Sequence, residues 1–311
     1  MTGLSVEMYF LRRIAFAIPL LLLISLLAFV LVHLAPGGPF DSERKPASPE
    51  IERNIKAKYH LDEPIWKQYG RYLNDLLHGD FGVSLKYRNH TVNDIIAQGL
   101  PVSMLLGGLA FCFAMGGGLL LGFFTARHHG SWIDHSGSLL AVLTVCIPGF
   151  VIAPILILVF AMKLKWFPVA LWGSPWHMVL PGLSLGLFFV GKVARIMREG
   201  MLGAAQSEFI TAARSKGLSE TSLMLKHAFR IALLPVVSYA GPMLADLLTG
   251  SFVVENIFQV PGIGVFLVNS SLNRDYTVVV GLSLLYALLL IGLNLFVDFL
   301  YTLLAPRVKY E

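Results

Sequence analysis

The sequence predicts an all-α integral membrane protein with six transmembrane helices and an extracytoplasmic helical domain between the first and second. Three observations carry this. Hydrophobic residues make up 56% of the chain and charged ones only 14%, against roughly 25% charged in soluble domains. The apolar residues gather into six segments, and a spanning helix needs about 20 predominantly apolar residues. Lys and Arg are spread unevenly over the intervening loops, which sets an orientation. Within hydrocarbon each backbone polar group must be satisfied inside its own segment, so every span is a helix.

The first span is Ile14–Val32, preceded by Arg12 and Arg13. A signal peptide opens the same way, but its apolar core runs only about 7–15 residues. This run is longer, and Pro36 in Ala35-Pro36-Gly37-Gly38 suits a turn better than a cleavage site. Residues 1–34 are therefore expected to be a cytoplasmic N-terminus and a retained first helix. Residues 35–99 form the extracytoplasmic domain. There Trp66, Tyr69, Tyr72, Leu73, Leu76 and Leu77 recur at helical spacing, which predicts a helix in a small cap.

Residues 100–305 make the membrane core. The second span lies in the charge-free stretch 95–126, the third is Ser136–Met162 and the fourth Pro175–Gly191. The fifth is Ile231–Val254, with one charge at Asp246, and the sixth Tyr276–Leu304, with Asp298 placed at headgroup level. Residues 306–311 are a cytoplasmic tail. With both termini inside, the inner segments hold Arg12, Arg13, Arg127, Lys192, Arg195, Arg198, Arg214, Lys216, Lys226, Arg230, Arg307 and Lys309, whereas the short outer loops hold only Lys163, Lys165 and Arg274. That asymmetry favours cytoplasmic termini. The 35–99 loop carries nine basic and nine acidic residues, but loops longer than about 60 residues translocate regardless of charge.

The net charge of +5 marks the cytoplasmic face and gives no reason to invoke nucleic acid. Cys112 and Cys146 lie in apolar runs and read as buried structural thiols. Residues Gly186 to Lys192 match most of a phosphate-binding loop. The match fails because Val193 replaces the magnesium-binding hydroxyl and the context is a membrane helix. Gly118 with Gly122, and Gly182 with Gly186, are spaced for close helix packing within the chain. Pro148-Gly149 and Pro154 interrupt the third span, as pathway-lining kink or as packing strain. Asp246 is a carboxylate at membrane depth, which fits a water-filled pathway or a buried structural hydrogen bond. No nucleophile with a base and no metal constellation is recognisable, so neither a catalytic nor a metal site is expected.

Segment 192–235 is the most informative. The stretch Gln206–Ser215 has helical character, Gly217 supplies a helix-ending backbone, and a second helix is expected over about Glu220–Phe229, leading to Leu234-Pro235 and the fifth span. Two readings fit. One is a helical hairpin projecting inward, with Ala212 and Ala213 leaving a smooth face for a partner. The other is a basic helix lying on the membrane surface.

This hairpin resembles the ATPase-coupling loop of ABC-transporter permeases, a pattern of Glu-Ala-Ala, three residues, Gly, then a downstream Leu-Pro. Thr211 stands in place of the acidic residue, followed by Ala212, Ala213 and Gly217, and Leu234-Pro235 comes late. Both departures resemble the peptide and nickel importer subfamily. So do Tyr9-Phe-Leu-Arg-Arg, Leu34-Ala-Pro-Gly, Ala57-Lys-Tyr-His-Leu, Gly79-Asp-Phe-Gly, the stretch from Thr249 to Phe258, Pro261-Gly-Ile-Gly and Asn273-Arg-Asp-Tyr. The ordered set spans almost the whole chain, and within the subfamily it is most similar to oligopeptide permeases.

The resemblance implies a type I ABC importer permease fold and a pore-forming subunit without an ATPase site. It implies a second homologous permease in a heterodimer, two ABC ATPase subunits carrying ATP and magnesium, an extracytoplasmic peptide-binding protein, a peptide substrate and a setting in the lipid of the bacterial cytoplasmic membrane. It assigns ATPase coupling to Thr211, Ala212, Ala213, Lys216, Gly217 and Leu218. Asp246 and Pro148, by their places in the spans, are the candidates for the translocation pathway, and the resemblance implies that the loop with Glu255, Pro261, Gly262 and Gly264 helps to dock the binding protein. Dipeptide or nickel import is the alternative within the family; His33, His60 and His78 are the histidines a nickel reading would use. An ion-coupled secondary transporter would need internal repeats and midplane ion sites.

Overall fold

A computed structural model describes residues 3–34, 62–87, 90–249 and 252–304. Among these residues the regular secondary structure is all helix, apart from one isolated antiparallel bridge between Val83 and Thr91. In chain order the helices are α1 (Gly3–Leu34), α2 (Ile65–Leu77), α3 (Val92–Arg127), α4 (Trp132–Cys146), α5 (Gly149–Leu156) and α6 (Pro175–Ala205). Then come α7 (Glu208–Ser215), α8 (Glu220–Ser222), α9 (Phe229–Thr249), α10 (Phe252–Phe258), α11 (Ile263–Asn273) and α12 (Tyr276–Leu304). Two π-helical stretches, Ile157–Lys163 and Leu223–Ala228, follow α5 and α8.

Five helical runs are long and apolar enough to cross a membrane, and two bent pairs raise the number to seven. The expected first, second, fourth, fifth and sixth spans each coincide with one of the five. The expected third span is instead a broken pair, α4 and α5 with its π-helical extension, bent by 106°. The cause is local. Pro148 has no N–H to give and forces the residue before it out of helical geometry, and Ile147 is extended at φ −92°, ψ 119°. The second bent pair, α10 and α11, begins within the expected end of the fifth span: α9 stops at Thr249, and Phe252–Val254 belong to α10 instead.

Two other boundaries differ from expectation. The fourth span continues to Ala205 because Val193, Met197, Met201 and Ala204 prolong its buried stripe among the basic residues. The helix expected near 220–229 is not separate from the fifth span. From Glu220 to Leu248 the chain is one helical run, with Pro235 inside it, as membrane helices tolerate. The extracytoplasmic helix expected from Trp66 to Leu77 is α2. The remainder of that domain from 35 to 61, including Ala57-Lys-Tyr-His-Leu, and the 306–311 tail lie outside the described residues, as do 88, 89, 250 and 251.

The chain divides into two compact units. The larger holds Ser103–Pro261 with the end of α12 from Phe296, and is organised around α6. Val193, Met197 and Met201 of α6 are fully buried with Ala228, Ala232, Val236 and Met243 of the 220–249 run. Small residues set how close the helices come. A Cβ on Gly186 would lie 2.8 Å from the Ala110 carbonyl of α3, and one on Gly200 would lie 3.1 Å from Ala232 of α9. Gly118 and Gly122 of α3 face Val193, Ala194 and Met197, and Gly191 lies against Ala141 and Thr144 of α4. Gly118, Gly122 and Gly186 therefore serve close packing within the chain, as expected, whereas a Cβ on Gly182 would meet only Leu109 at 3.9 Å; Gly186–Lys192 is unbroken helix. Cys112 and Cys146 are free and, contrary to the expected burial, exposed on the isolated chain.

The smaller unit holds the described residues up to Val102 together with Gly262–Leu295. Its core is Val92, Ile95, Ile263, Val278 and Leu282. The α2 helix packs on α1 through Tyr69, whose hydroxyl lies 2.8 Å from Ser25 Oγ and whose ring lies 5.3 Å from that of Phe29. The Gly79-Asp-Phe-Gly segment is a tight turn with Gly79 at φ +78° and Gly82 at φ +93°. Asn93 clasps it, donating from Nδ2 to the Gly79 carbonyl at 2.7 Å and accepting from the Phe81 N–H at 3.0 Å.

If α6 is the scaffold, Gly191→Leu lowers stability by about 1–3 kcal/mol, the usual cost of overpacking. Gly203→Leu, where a Cβ meets nothing within 4 Å, is expected to be nearly neutral. Thermal unfolding of the two purified variants in detergent checks the contrast.

Candidate coupling surface and membrane pathway

The 207–223 segment folds as a capped hairpin. Ser207 accepts from the Ile210 N–H at 3.4 Å and starts α7. Gly217, at φ +83°, turns the chain, and Ser219 accepts from the Ser222 N–H to start α8. Arg214 and Glu220 form an ion pair across the turn, and its hydrogen bonds hold the Arg214 guanidinium protonated still more firmly. The two arms meet in a small apolar cluster of Ile210, Ala213 and Leu223.

This arrangement separates two residues that the sequence paired. Ala213 is buried in the hairpin, whereas Ala212 is exposed together with Thr211, Lys216, Gly217 and Leu218. Phe209 is exposed too, its ring edge-on to His227 at 5.6 Å. The outer face thus offers small, hydroxyl and basic side chains beside one aromatic ring. Arg127, at the end of α3, donates to Thr221 at 3.2 Å and ties the hairpin to the span before α4.

The pathway candidates both lie at the surface of the isolated chain. Asp246 is exposed on α9, and Pro148 is exposed at the α4–α5 elbow. The docking candidates are less uniform. Pro261 is exposed, but Gly262 and Gly264 are buried. Gly262 is the residue before the first turn of α11, and a Cβ on Gly99 would lie 2.9 Å from the Ile263 nitrogen. Glu255 is fully buried, and its Oε1 accepts from Ser103 Oγ at 2.7 Å. A carboxylate so enclosed shapes the turn from within and offers nothing to an incoming protein. Among the described residues no group of three or more His, Cys, Asp or Glu side chains is placed to hold a metal ion.

Two carboxylates that sequence reasoning passed over organise the structure. Asp134, nearly buried, accepts a bidentate pair from Arg198 of α6, at 2.7 Å from Nε and 2.8 Å from Nη2. It also takes the Gly130 N–H at 3.0 Å and lies 2.9 Å from His129 Nδ1. Asp275 is fully buried and accepts from the Ser84 hydroxyl and from the Leu85 and Lys86 N–H groups, both at 3.2 Å. It also precedes α12, accepting from the Val278 N–H. The only sequence signal was the Asn273-Arg-Asp-Tyr motif, where an Asp just before an apolar run is a helix-start signature.

Among the described residues the candidate spans are all helical, and a capped hairpin joins two of them. Residues 118–310 match the family described as Binding-protein-dependent transport system inner membrane component, and residues 6–106 match its N-terminal companion. The chain belongs to this family: it is a multi-pass inner-membrane permease of the ABC-transporter class and not itself the ATPase.

It is 45% identical over 301 residues to the oligopeptide transport system permease protein OppB of Haemophilus influenzae, covering 96% of this chain and 98% of that one. It is 43% identical over 304 residues to OppB of Escherichia coli K12, covering 97% and 99%. The dipeptide permease DppB of Bacillus subtilis is 41% identical over 301 residues, covering 97% of each. Two solved structures share the fold. An amino acid ABC transporter with histidines aligns with TM-score 0.53 at 19% identity, covering 70% of this chain and 95% of that one. The methionine transporter MetNI, in inward-facing conformations, aligns with TM-score 0.54 at 18% identity, covering 70% and 97%.

Asp134→Asn leaves the Arg198 guanidinium, whose side chain is 25% exposed, without its counter-charge. Breaking a buried pair costs about 3–5 kcal/mol, and partial exposure places this one near the low end. The variant is expected to melt well below the parent chain in a detergent thermal shift, and Glu at position 134 is expected to restore only part of the loss.

Proposed function

We propose that this chain is the pore-forming permease subunit of an ATP-driven importer that carries oligopeptides across the bacterial cytoplasmic membrane. Permease proteins of oligopeptide systems at 43–45% identity over nearly the full length support the substrate class. The observation that carries the mechanism is the hairpin: Ala213 anchors it, and Thr211, Ala212, Lys216, Gly217 and Leu218 stay outward as a grip for an ATPase subunit.

The chain crosses the membrane six times with both termini in the cytoplasm, and α4 with α5 counts as one broken crossing. The domain around α2 and the α10–α11 pair lie outside. A second, homologous permease completes the pore as a heterodimer. Two ATPase subunits bind ATP and magnesium below it, and a peptide-binding protein docks above it. This chain binds no cofactor of its own.

The mechanism is a two-state pore. When ATP draws the nucleotide-binding domains together, the push on α7 enters the Ile210–Ala213–Leu223 cluster. Leu223 belongs to the same helical run as α9, and α9 packs on α6 through Ala232 and Gly200. Motion at the hairpin is thereby delivered to pore helices. Asp246 offers a carboxylate to the peptide ammonium, and the Pro148 elbow gives the pathway an irregular wall. Outside, the Pro261 turn meets the binding protein, with Gly262 and Gly264 permitting its tight course and Glu255 bracing it.

Dipeptide import is the second reading, since the dipeptide permease of Bacillus subtilis is nearly as similar at 41% identity. Uptake of labelled peptides of graded length, in cells lacking this chain and in cells complemented with it, separates the two. Restoration for dipeptides alone contradicts the oligopeptide reading.

Ala212→Trp is expected to leave folding intact, because position 212 is exposed. Peptide uptake should fall by about tenfold or more, as when about 1.4 kcal/mol of contact is lost, while ATP hydrolysis continues. Transport and ATPase assays on the same vesicles check this, and coupled uptake equal to the parent chain contradicts the grip.

A further inference from the structure

The outer half of α9 shows little of itself. From Gly241 to Leu248 the exposed residues are Pro242 and Asp246; Leu244 is half-buried, and Gly241, Met243, Ala245, Leu247 and Leu248 are buried. Pro235, seven residues before Pro242, is exposed as well. At 3.6 residues per turn Pro235, Pro242 and Asp246 fall within about 40° of one another. Ala232, Val236, Met243 and Leu247 lie on a separate face, inside the core. The helix therefore keeps a narrow open sector that carries two prolines and a carboxylate.

The prolines change what the backbone offers there. Proline has no N–H, so the carbonyl four residues before it loses its helical donor. On α9 these are the carbonyls of Ile231 and Ser238. Each points along the axis toward the proline four residues on, so both open on the proline sector. The Ser238 hydroxyl donates instead to the Leu234 carbonyl, at 2.9 Å. Carbonyls without donors and a carboxylate are costly against hydrocarbon, which argues that this sector faces water. From Pro235 to Asp246 it runs eleven residues, about 17 Å at 1.5 Å each. An extended chain at about 3.3 Å per residue covers that length with about five residues.

We propose that this sector is a track for the main chain of a peptide in transit. The Ile231 and Ser238 carbonyls accept from peptide N–H groups, and the Asp246 carboxylate takes a terminal ammonium. Every peptide residue except proline carries the same N–H, so backbone acceptors grip cargo of any side-chain sequence. The inference rests on the peptide-import reading and adds which group of the cargo the pore recognises.

The test uses the assembled transporter in vesicles and two cargoes: penta-alanine, and the same peptide methylated at its inner amide nitrogens, which lacks those donors. Pro235→Ala and Pro242→Ala each return an N–H to the helix and occupy the freed carbonyl. The parent is expected to import the unmethylated peptide better. Each variant is expected to narrow that ratio by about three- to tenfold, the value of one hydrogen bond. The other subunits are the same throughout, so their own preferences cancel between parent and variant. A ratio unchanged in both variants overturns the track and leaves peptide import standing, as does a parent that imports both cargoes alike. A parent that imports neither contradicts the import reading too. Ser238→Cys, with Cys112 and Cys146 replaced by serine, gives a check that keeps both prolines. Its thiol is expected to react with a water-soluble maleimide and to be protected by penta-alanine. A thiol that never reacts places the sector against lipid or the second permease and overturns the proposal, and so does one that peptide leaves unprotected.

Discussion

In hydrocarbon, apolar side chains gain little by leaving lipid for another helix, so helices associate where their backbones come close and dispersion contacts accumulate. The larger unit depends on that constraint at α6. Glycines on α6 or on its neighbours remove the Cβ at the contacts with α3, α4 and α9. Leucine or valine at these points would hold the helices apart and leave voids that neither lipid nor water fills well. The buried stripe from Val193 to Ala204 then extends the packed helix beyond the apolar span into the basic region, where Arg198 fastens it to Asp134.

The hairpin inherits its rigidity from this core. Its own apolar cluster has only three residues, too few to hold a projecting loop in one conformation. Two serine caps, a left-handed glycine and the Arg214–Glu220 pair define its course. An exposed pair of this kind contributes little by itself. Continuity matters more: the second arm runs without a break into α9, so a displacement at Ala213 has a stiff path toward the membrane.

Helix placement was largely legible in the sequence because length and hydropathy are one-dimensional properties. The helical spacing from Trp66 to Leu77, the Gln206–Ser215 helix ended by Gly217, and Gly118, Gly122 and Gly186 all correspond to local patterns with local causes. What escaped was decided by tertiary contacts. The fourth span outran its apolar stretch because only one face needed to be apolar, and the mean hydropathy of the segment concealed that face. The 220–249 run is unbroken where a break was expected between Phe229 and Ile231, because Ala228 and Ala232 are buried together while Arg230 turns outward. At the site, Ala212 and Ala213 were indistinguishable as letters; which one is buried depends on the position of Leu223. Glu255 read as a surface acid because its partner, Ser103, lies 152 residues away. Asp134 was invisible for the same reason, its partner being 64 residues distant.

Cross-linking from a cysteine at position 212 tests the account most directly, in a chain where Cys112 and Cys146 are first replaced by serine because both are exposed. In the assembled transporter the prediction is a cross-link to an ATPase subunit whose yield changes when ATP is bound. A residue 212 that labels only with a lipid-soluble reagent, with no cross-link to an ATPase subunit in any nucleotide state, would contradict it.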